Sequence, residues 1–281
     1  MKSESPIGIF DSGIGGLTVA SSISKLLPNE QIIYFGDTQH LPYGSKSFKR
    51  INYYCSKIVQ FLLNKNCKAI VIACNSASAA AGFKIHQQLY KKALVFNVID
   101  PVINYINHTN SIKHIGVIGT NATIDSNVYV NKIKSCRDDV KVSSLATPLL
   151  ANLIEEDSQK LFTKGILDSY LKNPILTGID SLILGCTHYP LITKKIDEFF
   201  NSKVEIINSI DHVKNEIKTS LQSKKILKKN SEKLKHHFYV SDYTENFQKK
   251  TELFFSSKVS QAKHPCLPCS VFSELVGPKK R

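Results

Sequence analysis

Short apolar runs recur along the chain at Ile7–Phe10, Ile32–Phe35, Ile70–Ala73, Leu94–Val98, Ile115–Ile118, Leu182–Leu184, Val204–Ile207 and Phe238–Val240. Most are too short for buried helices, and many are rich in Ile and Val, as strands covered on both faces require. Between them lie longer mixed segments, among them Leu17–Leu27, Ser47–Asn64 and Ser76–Tyr90, whose apolar positions fall largely at helical spacing. This alternation predicts an α/β fold with mainly parallel sheets.

Folds of this class place their chemistry in the loops that follow strands. Asp11-Ser12-Gly13-Ile14-Gly15-Gly16 follows the first run, Gly36-Asp37-Thr38 the second and Cys74-Asn75-Ser76 the third. Gly119-Thr120-Asn121 and Gly185-Cys186-Thr187-His188 occupy the same kind of position later. A weak internal repeat emerges. Ala69–Ser76 and Ser181–His188 each read as an apolar strand, a small residue, a cysteine and two polar residues. Gly8–Ser12 has a looser counterpart in Gly116–Thr120. Two pseudo-symmetric α/β halves would then offer one cysteine each, from opposite sides of a single cleft.

Length and composition narrow the setting. A chain of 281 residues forms one large domain or two of ordinary size. Hydrophobic residues at 42% and charged residues at 21% fit a folded enzyme rather than a disordered chain. No apolar run approaches the ~20 residues needed to span a bilayer. Nor does the start of the sequence resemble a signal peptide, so a cytoplasmic location is expected. The seven cysteines are odd in number and scattered, which argues against a disulfide framework. Cys55, Cys67 and Cys136 read as packing residues. Cys266 and Cys269 have redox or zinc-ligand spacing, but no second pair accompanies them and His264 is too close to complete an ordinary zinc site. The net charge of +14 comes mainly from lysines, densest between Lys214 and Lys263 around His236 and His237. Without a helix-turn-helix, zinc-finger or aromatic RNA-binding signature, that stretch reads as a solvated surface rather than a nucleic-acid site.

A cysteine between a strand and a helix N-terminus sits where backbone N–H groups and the helix dipole stabilise negative charge. An ordinary thiol pKa of ~8.5 is close enough to neutrality for acid or base work. A small buried hydrophobe is the bland reading of either cysteine alone. Two opposed thiols make sense for a reaction that inverts a stereocentre, one removing a proton and the other delivering one to the opposite face. Such a site must also stabilise a carbanion through preorganised donors. Ser12, Asn75, Ser76, Thr120 and Thr187 are suitable residue types in suitable loops.

The motifs then become specific. Gly8–Leu17, Tyr34–Thr38, Leu41–Ser47, Ala73–Ala79 and Leu184–Leu191 closely resemble the blocks of glutamate racemases, of the cofactor-independent aspartate/glutamate racemase family, in family order. The resemblance implies two α/β domains, one formed by residues 1–98 with 211–281 and the other by 99–210, with the active site between them. It implies that L-glutamate becomes D-glutamate for peptidoglycan synthesis, without cofactor or metal, with Cys74 and Cys186 as the acid/base pair. Asp11 and His188 match residues that assist the neighbouring thiols. Ser12, Pro42, Tyr43, Gly44, Asn75, Ser76, Thr120 and Thr187 match positions lining the glutamate. Glu155 matches a further assisting carboxylate, with Glu156 nearly as well placed. A homo-oligomer, in particular a dimer, is the expected assembly, with no membrane and no nucleic acid as partner.

Two departures stand out: Ser76 where the family usually has Thr, and Asn208-Ser209 where it commonly has Asp-Ser. Competing readings are a related racemase or decarboxylase of another acidic substrate, and a degenerate relative that binds nucleic acid. The second cysteine block favours glutamate, and intact Asp11, Cys74, Cys186 and His188 argue against degeneration.

Overall fold

The computed structural model describes residues 2–89, 91–156, 160–229 and 235–255. Cys266, Cys269 and His264 lie outside the described residues, as does part of the lysine-rich stretch. Among the described residues nine strands form: β1 Ile7–Asp11, β2 Ile32–Gly36, β3 Ala69–Ile72, β4 Leu94–Asn97, β5 His114–Gly119, β6 Lys141–Ala146, β7 Ser181–Gly185, β8 Glu205–Ile207 and β9 His237–Val240. They build two sheets, ordered β4-β3-β1-β2-β9 and β6-β5-β7-β8. Every pairing between the described strands is parallel.

The weak repeat in the sequence corresponds to a repeat in the sheets. Read in the same sense, β4-β3-β1-β2 has its counterpart in β8-β7-β5-β6. Register agrees as well. Phe10 pairs with Ile72, two residues before Cys74, and Ile118 pairs with Leu184, two residues before Cys186. Each cysteine therefore leaves the C-terminal end of an interior strand beside an equivalent neighbour. Strand β9 adds one member to the first sheet, alongside β2.

Burial follows from the period of two along each strand. Ile7 and Ile9 face one side of the first sheet, where Val213, Ile217 and Leu221 of the helix Ser209–Ser223 pack at helical spacing. Phe10, Ile70 and Ile72 face the other side, against Ile51, Ile58 and Leu62 of the helix Phe48–Asn64. The second sheet is sandwiched likewise, with Leu182 and Leu184 on one face and Ile115, Val117 and Ile183 on the other. No helix among the described residues is long and apolar enough to cross a membrane.

Two sequence features find a physical account here. Asn208 Oδ1 accepts the Ile210 N–H at 3.0 Å and caps the helix Ser209–Ser223. Asp and Asn cap helices equally well, so the departure from Asp keeps that function. Cys55 and Cys67 are buried in the core, whereas Cys136 is exposed, contrary to its expected packing role. It ends the helix Val128–Cys136, where the chain turns back into solvent.

At the N-terminal ends of β2 and β3, away from both cysteines, lies a buried ion pair. Lys68 Nζ sits 2.7 Å from Glu30 Oε2, with the two side chains 0% and 1% exposed. The same ammonium donates to the carbonyls of Ser3 and Ile226, and Glu30 Oε1 accepts the Lys228 N–H. Four separate stretches of chain are thereby joined at one point.

Candidate active site

Cys74 and Cys186 line the same enclosed cavity, together with Ser12, Pro42, Tyr43, Gly44, Asn75, Ser76, Thr120, Glu155, Thr187 and His188. Leu41, Ala151 and Asn152 complete the lining, and none of these three was singled out from the sequence. The cavity is small, about 30 Å³, room for a water molecule. Asp11 alone among the expected site residues is absent from the wall. It is fully buried behind it, with Oδ2 accepting the N–H groups of Gly16 at 2.8 Å and Gly13 at 3.2 Å.

The loops that hold these side chains approach one another so closely that two glycines are required. A Cβ on Gly15 would fall 2.6 Å from Thr187 Oγ1 and 2.7 Å from the His188 ring. A Cβ on Gly44 would fall 2.5 Å from Thr120 Cβ. Both contacts are below any real carbon–carbon approach, and both join the half that carries Cys74 to the half that carries Cys186. Ser76 and Thr120 hydroxyls bond across the same divide at 2.8 Å. The hydroxyl that Ser76 shares with the family's usual Thr is thus in use.

Behind the wall, Tyr43 OH donates to Asp37 Oδ2 at 2.6 Å, and the His40 ring contacts Asp37 Oδ1 at 2.8 Å. His40 in turn stacks on Tyr54, ring centroids 4.1 Å apart. Asp37 therefore fixes the short turn Tyr43–Ser45, whose first two residues line the cavity.

The two thiols have unlike surroundings. Burial, and then the charge of Asp11, push the Cys74 thiol well above its ordinary value, against the opposing pull of the Ala77 N–H. Its sulfur lies 3.7 Å from Ser12 Oγ. Burial also raises the Asp11 carboxyl, opposed by the charge of His188 and the Gly16 N–H. Asp11 Oδ1 is buried without a hydrogen-bond partner. A protonated thiol beside an underused carboxylate oxygen is suited to pass a proton inward.

On the other side, Cys186 Sγ is 3.6 Å from His188 Nδ1, and His188 Nε2 is 3.0 Å from Glu155 Oε2. Burial alone would lower the His188 pKa. The bonds and charges of Cys186 and Glu155 outweigh it and hold the ring well above its ordinary range. Glu155 is the carboxylate that reaches this histidine, whereas Glu156 is exposed.

A histidine whose folded pKa is raised contributes stability that is fully present below its unfolded value of ~6.5. That contribution is lost as pH rises through the higher folded value. The chain should therefore lose unfolding free energy on going from pH 6.5 towards alkaline conditions, and His188→Gln should flatten that decline. Urea titrations across the range check this; parallel curves for the two proteins would refute it.

The family model described as Asp/Glu/Hydantoin racemase matches residues 12–214. A glutamate racemase of Geobacter metallireducens is 37% identical over 254 residues, covering 90% of this chain and 93% of its own. Among solved structures, the glutamate racemase of Francisella tularensis in complex with D-glutamate aligns with a TM-score of 0.84 at 35% identity, over 92% of this chain and 96% of that one. A glutamate racemase isoform from Bacillus anthracis aligns with a TM-score of 0.86 at 36% identity, over 93% and 98%. With two matched sheets, two cysteines on one cavity and these similarities throughout its length, the chain belongs to the Asp/Glu/hydantoin racemase family.

Proposed function

We propose that this chain interconverts L- and D-glutamate by a two-thiol proton transfer at the α-carbon, without cofactor, and supplies D-glutamate for peptidoglycan synthesis. The observation that carries the proposal is the placement of Cys74 and Cys186 on one cavity, each at the end of an equivalent strand. The names of the relatives, and the D-glutamate held by the Francisella protein, support the choice of substrate.

In this reading one sulfur accepts the α-proton as the C–H bond breaks, and the other thiol gives its proton to the opposite face as the new C–H bond forms. Asp11 then exchanges a proton with Cys74, and the His188–Glu155 pair with Cys186, so that both sulfurs return to their starting states. Hydroxyl and N–H donors of Ser12, Ser76, Thr120 and Thr187 stabilise the charge that develops on the substrate carboxylate. The protein acts in the cytoplasm, as a homodimer.

Incubating L-glutamate with the purified chain in deuterated water, with no added cofactor, tests the reading. D-glutamate carrying deuterium at the α-carbon is expected, because a thiol proton exchanges with solvent between turnovers. Unchanged optical rotation, or inversion that needs an added cofactor, would overturn it.

A further inference from the structure

Within the cavity wall, one side-chain acceptor is buried and unused. Asn75 is 2% exposed, and its Nδ2 donates to the Tyr129 hydroxyl at 2.8 Å. That bond uses the amide nitrogen and leaves Oδ1 buried with no partner. A buried amide oxygen without a donor has given up its water and gained no bond in exchange. Such a cost is sustained in a ligand site when the ligand itself brings the missing donor.

Tyr129 is not part of the wall. It belongs to the helix Val128–Cys136 of the second half and packs beside Ile115, Val117 and Ile183. Asn75 opens the helix Asn75–Leu89 of the first half. The hydroxyl therefore reaches across the divide to a side chain next to Cys74. By engaging one Nδ2 hydrogen, it fixes which way the amide is turned, so that Oδ1 is the unpaired acceptor left for a ligand.

We infer that Tyr129 is a positioning residue: it fixes the Asn75 amide with its oxygen available to the α-ammonium of the substrate, and so makes the site select an amino acid over the corresponding plain diacid. This rests on the glutamate reading above and deepens it. An acceptor next to Cys74 is of use only to a substrate with a donor beside its α-carbon. A carboxylate in the same place would meet another oxygen and be repelled.

Tyr129→Phe removes the hydroxyl and keeps the buried ring. The measurement is the affinity of wild-type and variant protein for glutamate and for glutarate, which has both carboxylates and no ammonium, by calorimetry. The α-hydrogen exchange of the wild type in deuterated water is followed alongside. Glutamate binding is expected to weaken on the order of tenfold, the equivalent of one ordinary hydrogen bond, with glutarate affinity unchanged. Equal weakening of both ligands would mean that Tyr129 only supports the wall, and no change in either would mean that Asn75 needs no anchor; both results overturn the inference. Failure of the wild type to bind either ligand overturns it too. A selective loss of glutamate affinity, with no exchange in the wild type, would uphold the ammonium subsite and sink the racemase reading instead.

Discussion

Cys74→Ala and Cys186→Ala should each lower racemisation by at least about a thousandfold while the fold stays intact. Removing one member of a general acid–base pair typically costs 10²–10⁴ in rate. Both sulfurs are small and sit at strand ends, so the loss in stability should be on the order of 1 kcal/mol. The two-face arrangement makes a sharper prediction. A chain with one thiol left can still remove the α-proton from the face it adjoins, and can return a proton only to that face. Each variant should therefore wash deuterium into one enantiomer of glutamate without inverting it, and the two variants should choose opposite enantiomers. Near-normal racemisation by either variant, or exchange of the same enantiomer by both, would refute the assignment. Circular dichroism and proton NMR of the recovered glutamate supply the readings.

Lys68→Met should destabilise the fold by about 3–5 kcal/mol, because it leaves the buried Glu30 carboxylate without its cation. Of the two side chains, neither is more than 1% exposed, so water cannot take the place of the missing partner. The ammonium also holds the carbonyls of Ser3 and Ile226, which are left unpaired at the same time. The double variant Lys68→Met/Glu30→Leu removes the stranded charge and should recover a large part of the loss. It should not recover everything, since the Lys228 N–H also depends on Glu30. Urea unfolding of the three proteins checks this, and a single-variant loss below about 1 kcal/mol would show the pair to be hydrated in solution. Catalytic constants should change little in whatever fraction remains folded, given that the pair lies at the strand ends opposite to Cys74.

How much of this was legible in the sequence depended on where each element sits. Eight of the strands announce themselves as short apolar runs, most plainly β1, β2, β3 and β7, which are buried along their whole length. Strand β6 does not. Lys141, Ser143 and Ser144 interrupt its pattern, as an edge position with a partly solvated face allows. The site residues that lie in strand-end loops were readable from their motifs. Ala151 and Asn152 were not, since they belong to the short helix Leu150–Glu155, which follows no motif. The same helix decides between the two glutamates. With Leu150 and Ile154 turned inward, Glu155 follows on the cavity side and Glu156 rotates into solvent. Tyr129 was invisible for another reason: its partner lies 54 residues earlier, and a buried tyrosine at helical spacing looks like core.

The two halves of the cavity are matched in backbone and mismatched in chemistry, with a buried carboxylate on one flank and an imidazole–carboxylate pair on the other. Mirror-image substrates have identical free energies, so for any racemase the equilibrium constant is one, and kcat/KM must be equal in the two directions at every pH. The inequality between the flanks can surface only where that constraint leaves room, as a higher kcat from one enantiomer offset by a proportionally higher KM. Titrating Asp11 or His188 then shifts which enantiomer saturates the protein first and never which way the reaction runs.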